Sequence, residues 1–225
     1  PDALLLPMIG AVLLDLDGTL VDTAPDMGTA LNNLLIEENL APIPLETIRP
    51  YVSQGALVLT KLGFSEHVSE SEIEPLRQRY LDHYRAIVAD NSVIFDGFEQ
   101  VLGKLRDQGM PWGIVTNKPE WLTTPLLGQL ALHELAAVVI SGDTLEKRKP
   151  DPLPLIVAAE TIGIDCRNCV YIGDDPRDIN AGKAAKMKTL IAAYGYIPAD
   201  TNLDEWQADG LIARPIDLLT HPMLN

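Results

Sequence analysis

The sequence predicts an α/β fold: a Rossmann-like parallel sheet with helices on both faces, interrupted by one inserted all-helical lobe. Three observations predict it. Short β-rich apolar runs recur along the chain, stretches with helical spacing separate the later ones, and one long interval carries no strand signal. Strands that alternate with helices need crossover connections, and crossovers make parallel pairs.

The strand candidates, in order, are IGAVLL at 9–14, PWGIV at 111–115, AAVVI at 136–140, CVYI at 169–172, TLIAA at 189–193 and DGLIA at 209–213. Between the later ones, GFEQVLGKLRDQG, PEWLTTPLLGQLAL, PLPLIVAAETIG and PRDINAGKAAKM place apolar residues at helical intervals. The strandless interval does the same twice. Met27, Leu31, Leu34 and Leu35 share one helical face, as do Ile73, Leu76, Tyr80, Tyr84 and Ile87. The expected division is therefore a core of residues 1–22 and 95–225 and a helical lobe of 23–94. Such a lobe, inserted past the carboxyl end of the first strand, overhangs the edge where open α/β sheets bind ligands. No internal repeat or low-complexity tract interrupts the pattern.

Composition narrows the partners. The chain has 225 residues, 47% hydrophobic, with 17 basic against 32 acidic side chains and a formal charge of −15. That charge, with no basic block, repels a phosphate backbone, so nucleic acid is not an expected partner. No apolar stretch approaches the roughly 20 residues of a membrane span. The opening PDALLLPMIG lacks the basic region and cleavage site of a secretory signal; Met8 reads as an original start and residues 1–7 as a remnant. Cys166 and Cys169 form a C-x-x-C with no second pair, which reads as structural, and sparse cysteine suits the cytoplasm. His67, His83, His133 and His221 lack ligand spacing, and Trp112, Trp121 and Trp206 form no stripe.

The chemistry lies just past the strands. Asp15 and Asp17 follow the first, Thr116 and Asn117 the second, Lys149 the third, and Asp174, Asp175 and Asp178 the fourth. A parallel sheet brings these ends to one crevice. Carboxylates crowded there repel, and a hard divalent cation relieves the repulsion. Magnesium prefers oxygen, takes one or two carboxylates and leaves room for water and phosphate. Asp15 and Asp174 are the candidate side-chain ligands, with the Asp17 backbone carbonyl beside them. The metal and Lys149 then make a positive cradle for a phosphoryl group, and Thr116 donates a hydrogen bond to it. Asp15 is placed to attack phosphorus, and Asp17 to pass a proton to the leaving group and take one from water.

These motifs resemble those of the haloacid dehalogenase superfamily: DLDGTLVDT its nucleophile motif, and Thr116, Lys149 and GDDPRD its second, third and fourth. The resemblance spans about residues 9–193. It implies a magnesium-dependent phosphatase with Asp15 as nucleophile, Asp17 as general acid/base, Thr116 on the phosphate and Lys149 as charge neutraliser. Asp15, Asp17 and Asp174 would hold the metal, Asp178 would orient Lys149, and the helical insert would be a closing cap. Asp175 has either an indirect role near the metal or one as a helix N-terminal acid.

Within the family, VTNKP, KPDP and YIGDDPRDINAGKAA are similar to phosphoglycolate phosphatases. IRPYVSQGA, LIVAAETIGID and YGYIPADTNLDEWQAD are similar to phosphatases of N-acetylmuramic acid 6-phosphate, an ester of cell-wall recycling. The resemblance puts a specificity loop at Arg49, Ser53, Gln54 and Gly55. Arg49 either pairs with a substrate carboxylate or forms an ion pair inside the cap. Lys118 either touches substrate or caps the following helix. The expected partner is a small phosphate ester, for a monomer or homodimer. A sugar phosphomutase and a receiver-like phospho-switch stand as alternatives, and a dehalogenase does not need the acid at Asp17.

Overall fold

The structure, a computed structural model, describes residues 9–224. The reading of residues 1–7 and of Met8 lies outside the described residues. The core opens with β1 (Ala11–Leu14) and the two-residue β2 (Val21–Asp22). Only helix follows until β3: α1 (Ala24–Glu37), α2 (Leu45–Ile48), a 3-10 segment (Arg49–Gln54), α3 (Ala56–Phe64) and α4 (Glu70–Ala86). After β3 (Val93–Ile94) come α5 (Phe98–Asp107), β4 (Trp112–Val115), α6 (Glu120–Gln129), β5 (Val138–Ile140) and α7 (Leu153–Ile162). The chain continues through β6 (Cys169–Gly173), α8 (Pro176–Ala184), β7 (Lys188–Ala192) and β8 (Gly210–Ile212).

Six strands form one parallel sheet in the order β5-β4-β1-β6-β7-β8. All six coincide with the apolar runs read from the sequence. β1 is central and fully buried, because alternate residues face two cores. Val12 and Leu14 pack with Ile114, Val170 and Ile172, and that cluster runs on into Leu31, Leu34, Tyr80 and Tyr84 of the lobe. Ala11 and Leu13 face the other way, against Leu155, Ala158, Tyr171 and Ala181. The strand order reverses at β1, where the chain goes to β4 on one side and β6 on the other. That switch point opens a crevice at the carboxyl ends.

One element was not read from the sequence. β2 and β3 pair antiparallel, Val21 opposite Ile94 and Asp22 opposite Val93, so both connections to the helical lobe cross side by side. A two-residue strand is too short to carry a periodic signal.

Asp26 of α1, fully buried, anchors this junction. Its carboxylate accepts from the Asn91 backbone N (2.9 and 3.0 Å) and Asn91 Nδ2 (3.1 Å), and from the Ser92 backbone N (2.8 Å) and Oγ (2.6 Å). Removing the acceptor orphans buried donors, so Asp26→Ala is expected to destabilise the protein by on the order of 3 kcal/mol. Denaturant unfolding of the variant checks this; a loss of under about 1 kcal/mol contradicts it.

Candidate active site

Asp15 continues β1 by one ladder bond, its N–H donating to the Ile172 carbonyl at 2.9 Å, which fixes its carboxylate at the sheet edge. The chain then turns on Gly18, at φ +83°, a conformation that favours glycine. A Cβ there would lie 2.2 Å from Asp174 Oδ2, and one on Gly195 would lie 2.3 Å from Asp174 Cβ. Two glycines thus let Asp174 nest against the turn.

Lys149, 3% exposed, is the hub. Its Nζ sits 2.8 Å from Asp15 Oδ1, 2.7 Å from Asp178 Oδ1, 2.7 Å from the Tyr171 hydroxyl and 3.0 Å from the Val115 carbonyl. Burial pulls the ammonium down, but Asp15 and Asp178 more than reverse it, so Lys149 stays charged. Asp15 is pushed up to about 7, first by burial and next by Asp178, with Lys149 opposing. Asp174 is raised well above the ordinary range by burial and then by Asp15 and Asp178. One cation cannot balance three buried acids.

Asp15, Asp174 and Asp178 each offer an oxygen, all within 4.8 Å of one another. These hard, buried oxygens with uncompensated charge fit magnesium. Asp178 is already committed to Lys149 and to the Asp175 N–H (3.1 Å), which suits the orienting role. Asp15 and Asp174 remain to face a cation. Asp17 separates its two ends. Its carbonyl lies 3.3 Å from Ser53 Oγ, near Asp174, while its carboxylate accepts from Thr23 Oγ1 (2.6 Å) and Lys118 Nζ (3.0 and 3.3 Å).

The other candidates divide. Thr116 is buried beside the cavity and accepts from the Lys118 N–H at 3.1 Å. Asn117 lines the cavity and places both ends of its amide on the Lys149 backbone, at 2.9 and 3.0 Å, which positions the lysine. Lys118 does not cap the following helix, whose N-cap is Pro119; it lines the cavity, and its Nζ pairs with Asp17 and lies 4.5 Å from the centroid of the Tyr84 ring. Arg49 is not among the cavity-lining residues. It pairs with Asp22 at 2.9 Å and stacks on Tyr196, tying the lobe to β2. Ser53, Gln54 and Gly55 do line the cavity, and Ser53 Oγ donates to Asp174 Oδ2 at 2.7 Å. Asp175 caps α8 and binds Arg177, as its helix-terminal reading expects.

Sequence reasoning missed Arg177, Tyr171, Tyr196, Thr19 and Thr23. Thr19 donates to Asp174 at 3.1 Å, and the Tyr196 N–H donates to it at 2.9 Å. All five stand inside the quoted stretches, but the contact that ties Tyr196 to Asp174 is long-range and has no local pattern. Cys166 and Cys169 are free thiols, burial pushing Cys169 up to about 12, which makes it inert. Among the described residues no histidine joins the acid cluster, and no helix is long and apolar enough to cross a membrane.

The cavity between lobe and sheet edge measures about 490 Å³. Asp15, Asp17, Thr116, Lys118 and Lys149 line its floor, and Met27, Val52, Leu57, Leu81 and Tyr84 its lobe side, with Arg77, Arg148 and Arg177 also on its walls.

A doubly wound sheet carrying an aspartate pair, a buried lysine and further acids at its carboxyl edge defines a class of hydrolases. The family model described as haloacid dehalogenase-like hydrolase matches residues 12–192, and the chain belongs to that family. It is 46% identical over 208 residues to a phosphoglycolate phosphatase of Xanthomonas campestris, covering 92% of this chain and 94% of that one. It is 38% identical over 209 residues to the N-acetylmuramic acid 6-phosphate phosphatase of Pseudomonas aeruginosa, covering 93% and 92%. The crystal structure of a predicted phosphoglycolate phosphatase from Haemophilus somnus shares the fold, with TM-score 0.83, 24% identity and coverage of 94% and 97%. Within its family this chain is a phosphoric monoester hydrolase.

The raised Asp15 carboxyl has a stability consequence. Folded Asp15 holds its proton up to about 7, against an ordinary value of 3.8, so between those values the folded state binds more protons and stability falls as pH rises. In chelator, Asp15→Asn is therefore expected to gain thermal stability relative to wild type as pH goes from about 5 to 8. Melting curves at the two pH values check this; a constant difference between the proteins contradicts it.

Proposed function

We propose that the chain is a magnesium-dependent phosphatase working through a phosphoryl group carried on Asp15. The observation that carries this reading is the Asp15 carboxylate fixed at the sheet edge, 2.8 Å from Lys149, with Asp17 beside it in the same cavity. On this reading an Asp15 oxygen attacks phosphorus and the ester P–O bond breaks. Asp17 gives the leaving alkoxide its proton, then takes one from the water that cleaves the aspartyl-phosphate. Lys149 and Thr116 hold the phosphoryl oxygens, Asp178 and Asn117 hold Lys149, and Lys118 with Thr23 holds Asp17. Magnesium, when bound by Asp15, the Asp17 carbonyl and Asp174, supplies the positive charge that phosphoryl oxygens need. The helical lobe serves as the cap that excludes water.

For the ester itself we favour N-acetylmuramic acid 6-phosphate, in peptidoglycan recycling in the cytoplasm. A cavity of about 490 Å³ with an apolar wall suits a substituted sugar phosphate; a two-carbon acid phosphate leaves most of it unfilled. With Arg49 committed to Asp22, recognition of a substrate carboxylate passes to Arg148. That residue is exposed, lines the cavity and has no ion pair among the described residues. Phosphoglycolate is the second reading, favoured by the 46% identity to the Xanthomonas enzyme.

Phosphate release with magnesium, measured across N-acetylmuramic acid 6-phosphate, phosphoglycolate and hexose phosphates, is expected to give the highest kcat/KM for the first. A preference for phosphoglycolate overturns the substrate and leaves the chemistry standing. Asp15→Asn is expected to lose on the order of 1,000-fold or more in kcat while keeping its fold, and chelator to abolish turnover until magnesium is restored. Transfer of phosphate to a second sugar hydroxyl in preference to water would indicate a mutase, and a long-lived phosphoprotein without turnover a switch.

A further inference from the structure

Ser53 belongs to the lobe, yet it is held by the core at two points. Its carbonyl accepts from Arg177 Nη2 at 2.7 Å, and Arg177 is gripped by both carboxylate oxygens of Asp175, at 2.7 and 2.9 Å. With its backbone fixed this way, Ser53 turns its hydroxyl inward. Oγ lies 2.7 Å from Asp174 Oδ2 and 3.3 Å from the Asp17 carbonyl oxygen. A hydroxyl has one hydrogen, so a single donor serves both oxygens. Asp174 and the Asp17 carbonyl are also two of the three groups assigned above to magnesium.

We propose that Ser53 is a positioning residue for the cation site, a place-holder that engages Asp174 and the Asp17 carbonyl until magnesium claims their lone pairs. The inference rests on the magnesium reading of the preceding section. Asp174 Oδ2 accepts from both the Ser53 hydroxyl and the Tyr196 N–H, which occupies its two lone pairs, so a cation that takes this oxygen at about 2.0–2.1 Å displaces one donor. The hydroxyl, which turns about a single bond, is the donor that yields. Asp174 does not depend on Ser53 for its place. Thr19 Oγ1 and the Tyr196 N–H donate to it at 3.1 and 2.9 Å, and the glycines at 18 and 195 shape its nest. Removing the hydroxyl takes away a competitor while leaving the ligand oriented. The contact also couples the lobe to the acid cluster, because the residue that yields to the cation sits on the loop lining the substrate cavity.

Calorimetric titration of magnesium alone into the chelator-treated protein tests this without turnover. Ser53→Ala is expected to bind magnesium about three- to tenfold more tightly than wild type, the range of one net hydrogen bond. Ser53→Thr, which keeps the hydroxyl, is expected to return to wild-type affinity. Equal or weaker binding by Ser53→Ala overturns the proposal, the weaker result identifying the hydroxyl as a supporting group. A threonine variant that follows alanine assigns the effect to loop packing and overturns it as well. Failure of the wild-type protein itself to bind magnesium removes the magnesium reading together with the inference, and is distinguishable because no variant is involved.

Discussion

Three buried carboxylates around one ammonium are the constraint on which the rest of this protein depends. Lys149 touches Asp15 and Asp178 at ion-pair distance, and both contacts lie almost wholly out of water. Buried charges at such spacing persist only when geometry is held from every side. The sheet supplies that hold. β1, β4 and β6 lie side by side, so Asp15, the Val115 carbonyl and Tyr171 reach Lys149 from three neighbouring strands, while α8 brings Asp178 from above the edge. Asn117 fixes the lysine's backbone, so even the loop bearing the ammonium is tied to the strand end beside it.

The surplus negative charge that remains gives the site its character. Asp15 and Asp174 are held far from the ordinary carboxylate range, first by burial, then Asp15 by Asp178 and Asp174 by Asp15 and Asp178. Such a cluster stores a preference for positive charge before any ligand arrives. The two aspartates of the opening motif share the load unequally. Asp15 is surrounded by acids and one lysine, whereas Asp17 turns its carboxylate to Lys118 and Thr23. Neighbouring positions thus acquire different environments, the condition for two acids to do different tasks.

Much of this was legible in the residues. Six apolar runs gave six strands because a buried parallel sheet demands continuous β-branched or aliphatic character, and the acids at their ends were found by position alone. What escaped was long-range or very short. Tyr196 reaches Asp174 from 22 residues further on, without any periodic pattern to announce it. The β2–β3 pair is two residues long. Arg49 stood open between a substrate carboxylate and an ion pair inside the cap, because its type suits both. Only three-dimensional placement reveals that its partner is Asp22, on the core strand β2. Side-chain type indicates what a group can bind, and packing decides what it does bind.

The paired crossings at β2 and β3 make the helical lobe a cassette. Entry and exit lie one strand spacing apart, so a different lobe could be spliced in without altering the length or register of any strand in the main sheet. Its minimum passport is small: an acid in the position of Asp26 to lock the exit strand. Selectivity in such a design can be inherited by exchange of a module, while the phosphoryl chemistry is inherited unchanged by the sheet.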